Sequence, residues 1–280
     1  MATHADILDL VSTMKQKGEP FALATVIRTV AATAAKAGAK AVILADGTIQ
    51  EGWIGGGCAR AAVLKAACDA LADGKSRLVS VQPPEDLEGQ GHKPDEERGG
   101  VRFAKNMCPS QGTMDIFVEP VLPRPQVVIC GSSPVAVAIA DLARRSGFAV
   151  TVCAPSVEKA AFADADRRIE GFALPVNDAA ARYVVVSTQG RGDEAALAAA
   201  LAADIDYIAF VGSRKKAEAL KAALAARGLA AERLAKLKAP AGLDLGAITP
   251  EEIAISVLAE IVAVRRGKLR GDPRGSAAIS

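Results

Sequence analysis

One segment of this chain joins glycines to a thiol. Gly55-Gly56-Gly57-Cys58 places a cysteine after three glycines, where an expected strand gives way to an expected helix. Glycines there permit positive φ and close approach of the backbone to a ligand. A cysteine near a helix N-terminus is favoured as thiolate, the form that binds soft metals and carries sulfur. The same residues suit a plain packing turn with a small buried side chain, and the pattern alone leaves both readings open. Cys108, in Asn106-Met107-Cys108-Pro109-Ser110-Gln111-Gly112, lies in a turn-rich loop and is equally open. Cys68, Cys130 and Cys153 read as core or inert positions. Trp53 reads as a core plug or as one wall of a pocket.

A second chemistry is anion binding. Gly131-Ser132-Ser133 follows the apolar run Val127–Cys130 and precedes a helical segment. In a dinucleotide-binding unit such a turn points N–H groups and the positive end of a helix at a phosphate. Ser133 and Ala136 stand where the fingerprint's later glycines belong. The next strand ends Cys153-Ala154-Pro155, without the acid that grips an NAD ribose. A phosphate fits this turn and a standard NAD grip does not; a purely structural turn is the alternative. Ser187-Thr188-Gln189-Gly190-Arg191-Gly192-Asp193 adds Gln189 and Arg191 as candidate contacts. Gly212-Ser213-Arg214-Lys215-Lys216 sets three cations at a helix start, where the helix dipole disfavours them. A bound anion at Gly212, Ser213 and Arg214 would compensate; a solvated charged face is the alternative.

Composition narrows the field. The 280 residues carry 34 basic and 32 acidic side chains, a net charge of +2. No basic stripe marks a polyanion surface, so nucleic acid is not an expected partner. With only His4 and His92, a His-rich zinc or iron site is excluded by counting. No apolar run approaches the ~18–20 residues of a membrane span. The first residues show neither a basic nor an apolar signal region. Five cysteines, an odd number without a C-x-x-C pair, point to a reducing, cytoplasmic compartment.

The elements that must hold these residues fall into two patterns. The first half reads as a short helix stopped at Gly18, strands at Phe21–Thr29, Lys40–Leu44 and Thr48–Ile54, and an alanine-rich helix from Cys58 to Asp73. Strands at Arg77–Val81 and Met114–Val121 complete it, with Pro83 to Gly100 as a long charged loop. After Leu122-Pro123-Arg124-Pro125 the pattern changes. Short continuous apolar strands at Val127–Cys130, Ala149–Val152, Tyr183–Ser187 and Tyr207–Val211 alternate with helices, as in a doubly wound parallel sheet. Thr249-Pro250-Glu251-Glu252 has the form of a capping box with proline at the first helical position. The expectation is an α/β protein: a mixed-sheet N-terminal domain over 1–121, a linker at 122–126 and a Rossmann-like domain over 127–280.

Several segments resemble the XdhC/CoxI family: Gly56-Gly57-Cys58, the Cys108 loop leading to Asp115-Ile116-Phe117-Val118-Glu119-Pro120, and Val211-Gly212-Ser213-Arg214-Lys215-Lys216. The longest match is Pro240-Ala241-Gly242-Leu243-Asp244-Leu245-Gly246-Ala247-Ile248-Thr249-Pro250-Glu251-Glu252, continuing through Ala263. Gly-Gly-Cys-Ala-Arg and Cys-Pro-Ser-Gln-Gly-Thr are similar to the branch associated with CO dehydrogenase, and Gln189 stands where many relatives carry histidine. The resemblance implies an accessory protein rather than a metabolic enzyme. Its cargo would be the molybdenum cofactor, as molybdopterin or molybdopterin cytosine dinucleotide. Its partners would be an apo molybdenum hydroxylase, of CO dehydrogenase or xanthine dehydrogenase type, and a cysteine desulfurase, with a homodimer as the default assembly. It further implies cofactor contacts at Gly55, Gly56, Gly57, Cys58, Cys108, Gly131, Ser132, Ser133, Gln189, Arg191, Gly212, Ser213 and Arg214, with Cys58 as a molybdenum contact. Two other functions compete: an NAD(P)-dependent oxidoreductase, and a cofactor-free scaffold for a desulfurase and an apoenzyme.

Overall fold

The structure is a computed structural model that describes residues 4–109, 111–156, 160–175, 182–203, 205 and 207–270, with backbone alone at 4, 5, 58 and 268–270. The chain divides into two compact units, Met1–Pro123 and Arg124–Ser280.

The N-terminal unit begins with α1 (His4–Lys17), β1 (Phe21–Val30), β2 (Lys40–Ile43), β3 (Ile49–Gly52) and α2 (Gly57–Asp73). It continues through β4 (Arg77–Gln82), α3 (Pro84–Gly89), β5 (Glu97–Arg98), β6 (Val101–Lys105) and β7 (Thr113–Val121). Its seven strands lie in the order β3-β2-β1-β7-β4-β6-β5. The sheet is mixed, because β4 and β6 run parallel while the other pairs are antiparallel. Alanines let α2 lie close on one face: Ala66, Ala67 and Ala70 are fully buried against Ala24, Val79, Ile116 and Val118. On the other face α1 inserts Ile7 and Met14 over Phe21 and Val42.

The 83–100 segment is more ordered than its composition implies. Pro84 occupies a first-turn position of α3, Glu85 and Asp86 favour the helix N-terminus, and Leu87 is buried. The charged pair Glu97–Arg98 then forms the edge strand β5. Trp53 is no core plug: it is 46% exposed.

The C-terminal unit comprises β8 (Gln126–Cys130), α4 (Pro134–Arg145), β9 (Ala149–Ala154), β10 (Arg167–Glu170), β11 (Arg182–Val186) and α5 (Asp193–Ala202). There follow β12 (Tyr207–Phe210), α6 (Arg214–Ala226), α7 (Ala231–Leu234), β13 (Leu237–Lys238) and α8 (Pro250–Arg270). All strands run parallel in the order β10-β9-β8-β11-β12-β13. The sheet is doubly wound, as its strands require. Val127 and Ile129 point into a core with α4 and α8, whereas Val128 and Cys130 point into one with α5 and α6. Val257 and Ile261 of α8, fully buried, each contribute about 1.5–3 kcal/mol. The capping box forms: Glu252 N–H donates to Thr249 Oγ1 at 3.3 Å, and Thr249 N–H to Glu252 Oε2 at 3.0 Å. Among the described residues, no helix is long and apolar enough to cross a membrane.

Candidate functional site

In the N-terminal unit, β3 stops at Gly52 and leads to Gly55, whose φ of +115° is closed to most side chains. Its Cα also approaches Met114 so closely that a Cβ would sit 3.0 Å from the methionine Cε. Gly56 caps α2 without a side-chain hydrogen bond, and Gly57 opens the helix. The Cys58 backbone lies in the first turn of α2, while its side chain lies outside the described residues. Cys108 is exposed, in a loop tied by Asn106: the Cys108 N–H donates to Asn106 Oδ1 at 3.0 Å, and Asn106 Nδ2 donates to the Gly112 carbonyl at 2.6 Å.

The C-terminal unit brings the three remaining turns to one edge, because β8, β11 and β12 are parallel neighbours and their turns follow the carboxyl ends. Strand order reverses between β8 and β11, the position where open α/β sheets leave a crevice. Gly131, with φ +123°, passes so close to β11 that a Cβ would meet the Ser187 carbonyl oxygen at 2.3 Å. Ser133 Oγ accepts from the Ala136 N–H at 3.1 Å and lies 2.7 Å from Ser187 Oγ. With Pro134 lacking an N–H and Ala136 already served, the donors left at this turn are the backbone groups around the exposed Ser132.

The next two turns are linked by a buried carboxylate. Asp193, at the start of α5, pairs with Lys216 Nζ at 2.6 Å and accepts from the Thr188 hydroxyl and the Gly190 N–H. Burial opposes ionisation of Asp193, but the bonds from Lys216 and Thr188 outweigh it and hold the carboxyl below its usual range. The third cation of the 214–216 cluster is thus neutralised within the protein, and it also lies 5.5 Å over the Phe210 ring. Gln189 adopts φ +51° within this loop, and Arg191 follows it, exposed. Ser213 caps α6 through Lys216 N–H at 3.3 Å, leaving Arg214 at its first position.

Arg214 and Gly212 form part of a groove of about 820 Å³. Facing them is the 240–247 segment, with Asp244, Leu245 and Gly246 exposed. Glu260 anchors this wall from below. Its carboxylate, 2% exposed, accepts from Lys238 Nζ at 2.7 Å, from the Gly242 N–H at 3.0 Å and from the Tyr207 hydroxyl. Burial, and then the Glu260 carboxylate, push the Tyr207 phenol far above its ordinary range. Gly242 packs on α8 so tightly that a Cβ would lie 2.3 Å from Ser256 Oγ. Sequence reasoning named Asp193 and Lys216 without pairing them, and it overlooked Glu260. For Glu260 a signal existed: it lies on the apolar stripe Ala254, Val257, Leu258, Ile261, where a carboxylate is unexpected unless paired.

Comparison with known proteins accounts for most of the chain. The XdhC and CoxI family description matches residues 14–82, and the XdhC Rossmann domain matches residues 127–261. The uncharacterized protein YqeB of Escherichia coli is 30% identical over 260 residues, covering 90% of this chain and 45% of its own length. A probable xanthine dehydrogenase subunit of Bacillus subtilis is 27% identical over 165 residues, covering 55% of this chain and 47% of its own. The chain thus spans a little under half the length of either relative. A solved structure described as a xanthine dehydrogenase from Bacillus halodurans aligns over 97% of this chain and 98% of its own, with 20% identity and a TM-score of 0.45, too low to carry an argument.

Proposed function

The chain belongs to the XdhC/CoxI family, and from that premise we propose that it is an accessory protein of a molybdenum hydroxylase. Its cargo in this reading is the molybdenum cofactor, as molybdopterin or molybdopterin cytosine dinucleotide, which it holds during sulfuration and insertion into the apoenzyme. The partners proposed are a hydroxylase of xanthine dehydrogenase or CO dehydrogenase type and a cysteine desulfurase, in the cytoplasm.

The observation that carries the reading is the groove. The 242–246 segment, part of the longest stretch of family resemblance, forms its wall opposite Gly212 and Arg214 instead of joining the core. The donors suit a phosphorylated pterin. Arg214 supplies a fork of N–H groups for phosphate, and half-buried Gly212, which lines the groove without a side chain, permits close approach of its backbone. A volume of about 820 Å³ falls within the roughly 300–1,000 Å³ of small-molecule sites. Apolar Leu243, Leu245 and Ala247 offer surface for a ring. Asp244, on the same wall, would accept from pterin nitrogens. Sulfur chemistry in this reading falls to Cys58 at the α2 N-terminus.

The test is anaerobic incubation of the purified protein with cofactor released from a molybdenum hydroxylase, followed by gel filtration and pterin fluorescence. Co-elution near one-to-one is expected, falling at least about tenfold in Arg214→Glu as a charge-assisted phosphate contact becomes repulsive. Wild-type protein that retains no pterin overturns the reading.

A further inference from the structure

Two cysteines outside the groove stand side by side. Cys130 ends β8, Cys153 lies one residue before the end of β9, and the strands pair in parallel with these two residues in direct register. Both side chains point to the same face of the sheet, into the core shared with α5 and α6, and both are fully buried. Cys153 Sγ lies 3.7 Å from the carbonyl of Ala173, itself an exposed residue.

Paired thiols in a protein become a disulfide, a metal site or inert core, and spacing decides among them. Parallel neighbours are related by a translation of roughly 4.7–4.9 Å, which the roots of in-register side chains share. A disulfide needs its Cβ atoms about 3.5–4.5 Å apart, so this pair is too wide for one without moving the strands. A metal held linearly between two thiolates, with bonds near the roughly 2.3 Å of zinc–thiolate sites, spans roughly 4.6 Å between sulfurs, close to the strand spacing. Thiolate donors without imidazole or carboxylate select soft cations. We propose that Cys130 and Cys153 form a two-coordinate site for a soft monovalent cation of the Cu(I) or Ag(I) class.

Binding is ligand exchange without redox chemistry: both thiol protons leave to solvent as two sulfur–metal bonds form. The metal keeps its charge, and Arg167, on neighbouring β10, offsets the remaining negative charge of the thiolate pair. This site is independent of the groove and of any pterin, so either proposal stands if the other fails.

The experiment uses full-length protein with Cys58, Cys68 and Cys108 changed to serine, reduced and kept anaerobic. Cu(I) is delivered from a bicinchoninate complex and its transfer followed by the loss of that complex's colour. One Cu(I) per chain is expected, with X-ray absorption reporting two sulfur neighbours. Adding Cys153→Ser should lower affinity by more than the roughly 100-fold that even a lost outer-shell partner costs. Adding Cys130→Ala with Cys153→Ala, which keeps the core apolar, should abolish transfer while circular dichroism stays native. No transfer to the triple variant, or equal transfer with both core cysteines removed, overturns the proposal.

Discussion

Replacing Glu260 tests whether one buried carboxylate supports the groove wall. In Glu260→Ala the Tyr207 hydroxyl, in a residue 4% exposed, and the Gly242 N–H lose their acceptor. Lys238, whose side chain is 34% exposed, turns to water at little cost. A buried donor left unsatisfied costs about 1–3 kcal/mol, so two give about 2–6 kcal/mol, and water admitted from the groove favours the lower half. With a urea slope of about 1–3 kcal/mol per molar, the unfolding midpoint should fall by about 1–2 M. The two tyrosines, Tyr183 and Tyr207, are both buried in the C-terminal unit, so the near-ultraviolet tyrosine signal follows this unit. Glu260→Gln keeps one carbonyl acceptor in the same space and should lose about half as much. An unchanged midpoint in the alanine variant, or glutamine as damaging as alanine, would refute the reasoning.

Other outcomes follow from single contacts. Gly131→Ala combines a Cβ 2.3 Å from the Ser187 carbonyl with φ +123°, and should cost more than about 1–3 kcal/mol, read as a loss of Tm or as insoluble expression. Thr249→Ala removes the α8 cap and should cost about 1 kcal/mol in the same urea assay. The Asp193 carboxyl is depressed in the fold, so its stabilisation is present above its ordinary value of 3.8 and is lost as pH falls through the folded value. Asp193→Asn should therefore lower Tm at neutral pH, with the gap to wild type closing below pH 3.8; a pH-independent gap would count against the Lys216 pairing.

What was legible in the sequence was what depends on local pattern. Continuous apolar runs at Val127–Cys130 and Tyr207–Val211 announced strands buried on both faces, and Thr249 with Glu252 announced the α8 start. Two edge strands, β5 and β10, escaped notice because an edge need not be apolar: β10 opens with Arg167 and Arg168, and β5 is a charged pair. The turns carrying Gly131, Gln189 and Gly212 could be named from composition, but parallel pairing is what brings them to one edge. Asp193 and Lys216, or Glu260 and Tyr207, are too far apart in sequence for spacing to suggest partnership. Trp53 shows the reverse error, since aromatic character implied burial and the strand end leaves it exposed.

The most direct measurement of the accessory role is transfer. Protein loaded with cofactor, freed of unbound pterin and mixed with an apo molybdenum hydroxylase, should restore activity in proportion to the cofactor carried, and faster than the same concentration of free cofactor. Restoration no better than that from free cofactor would contradict it.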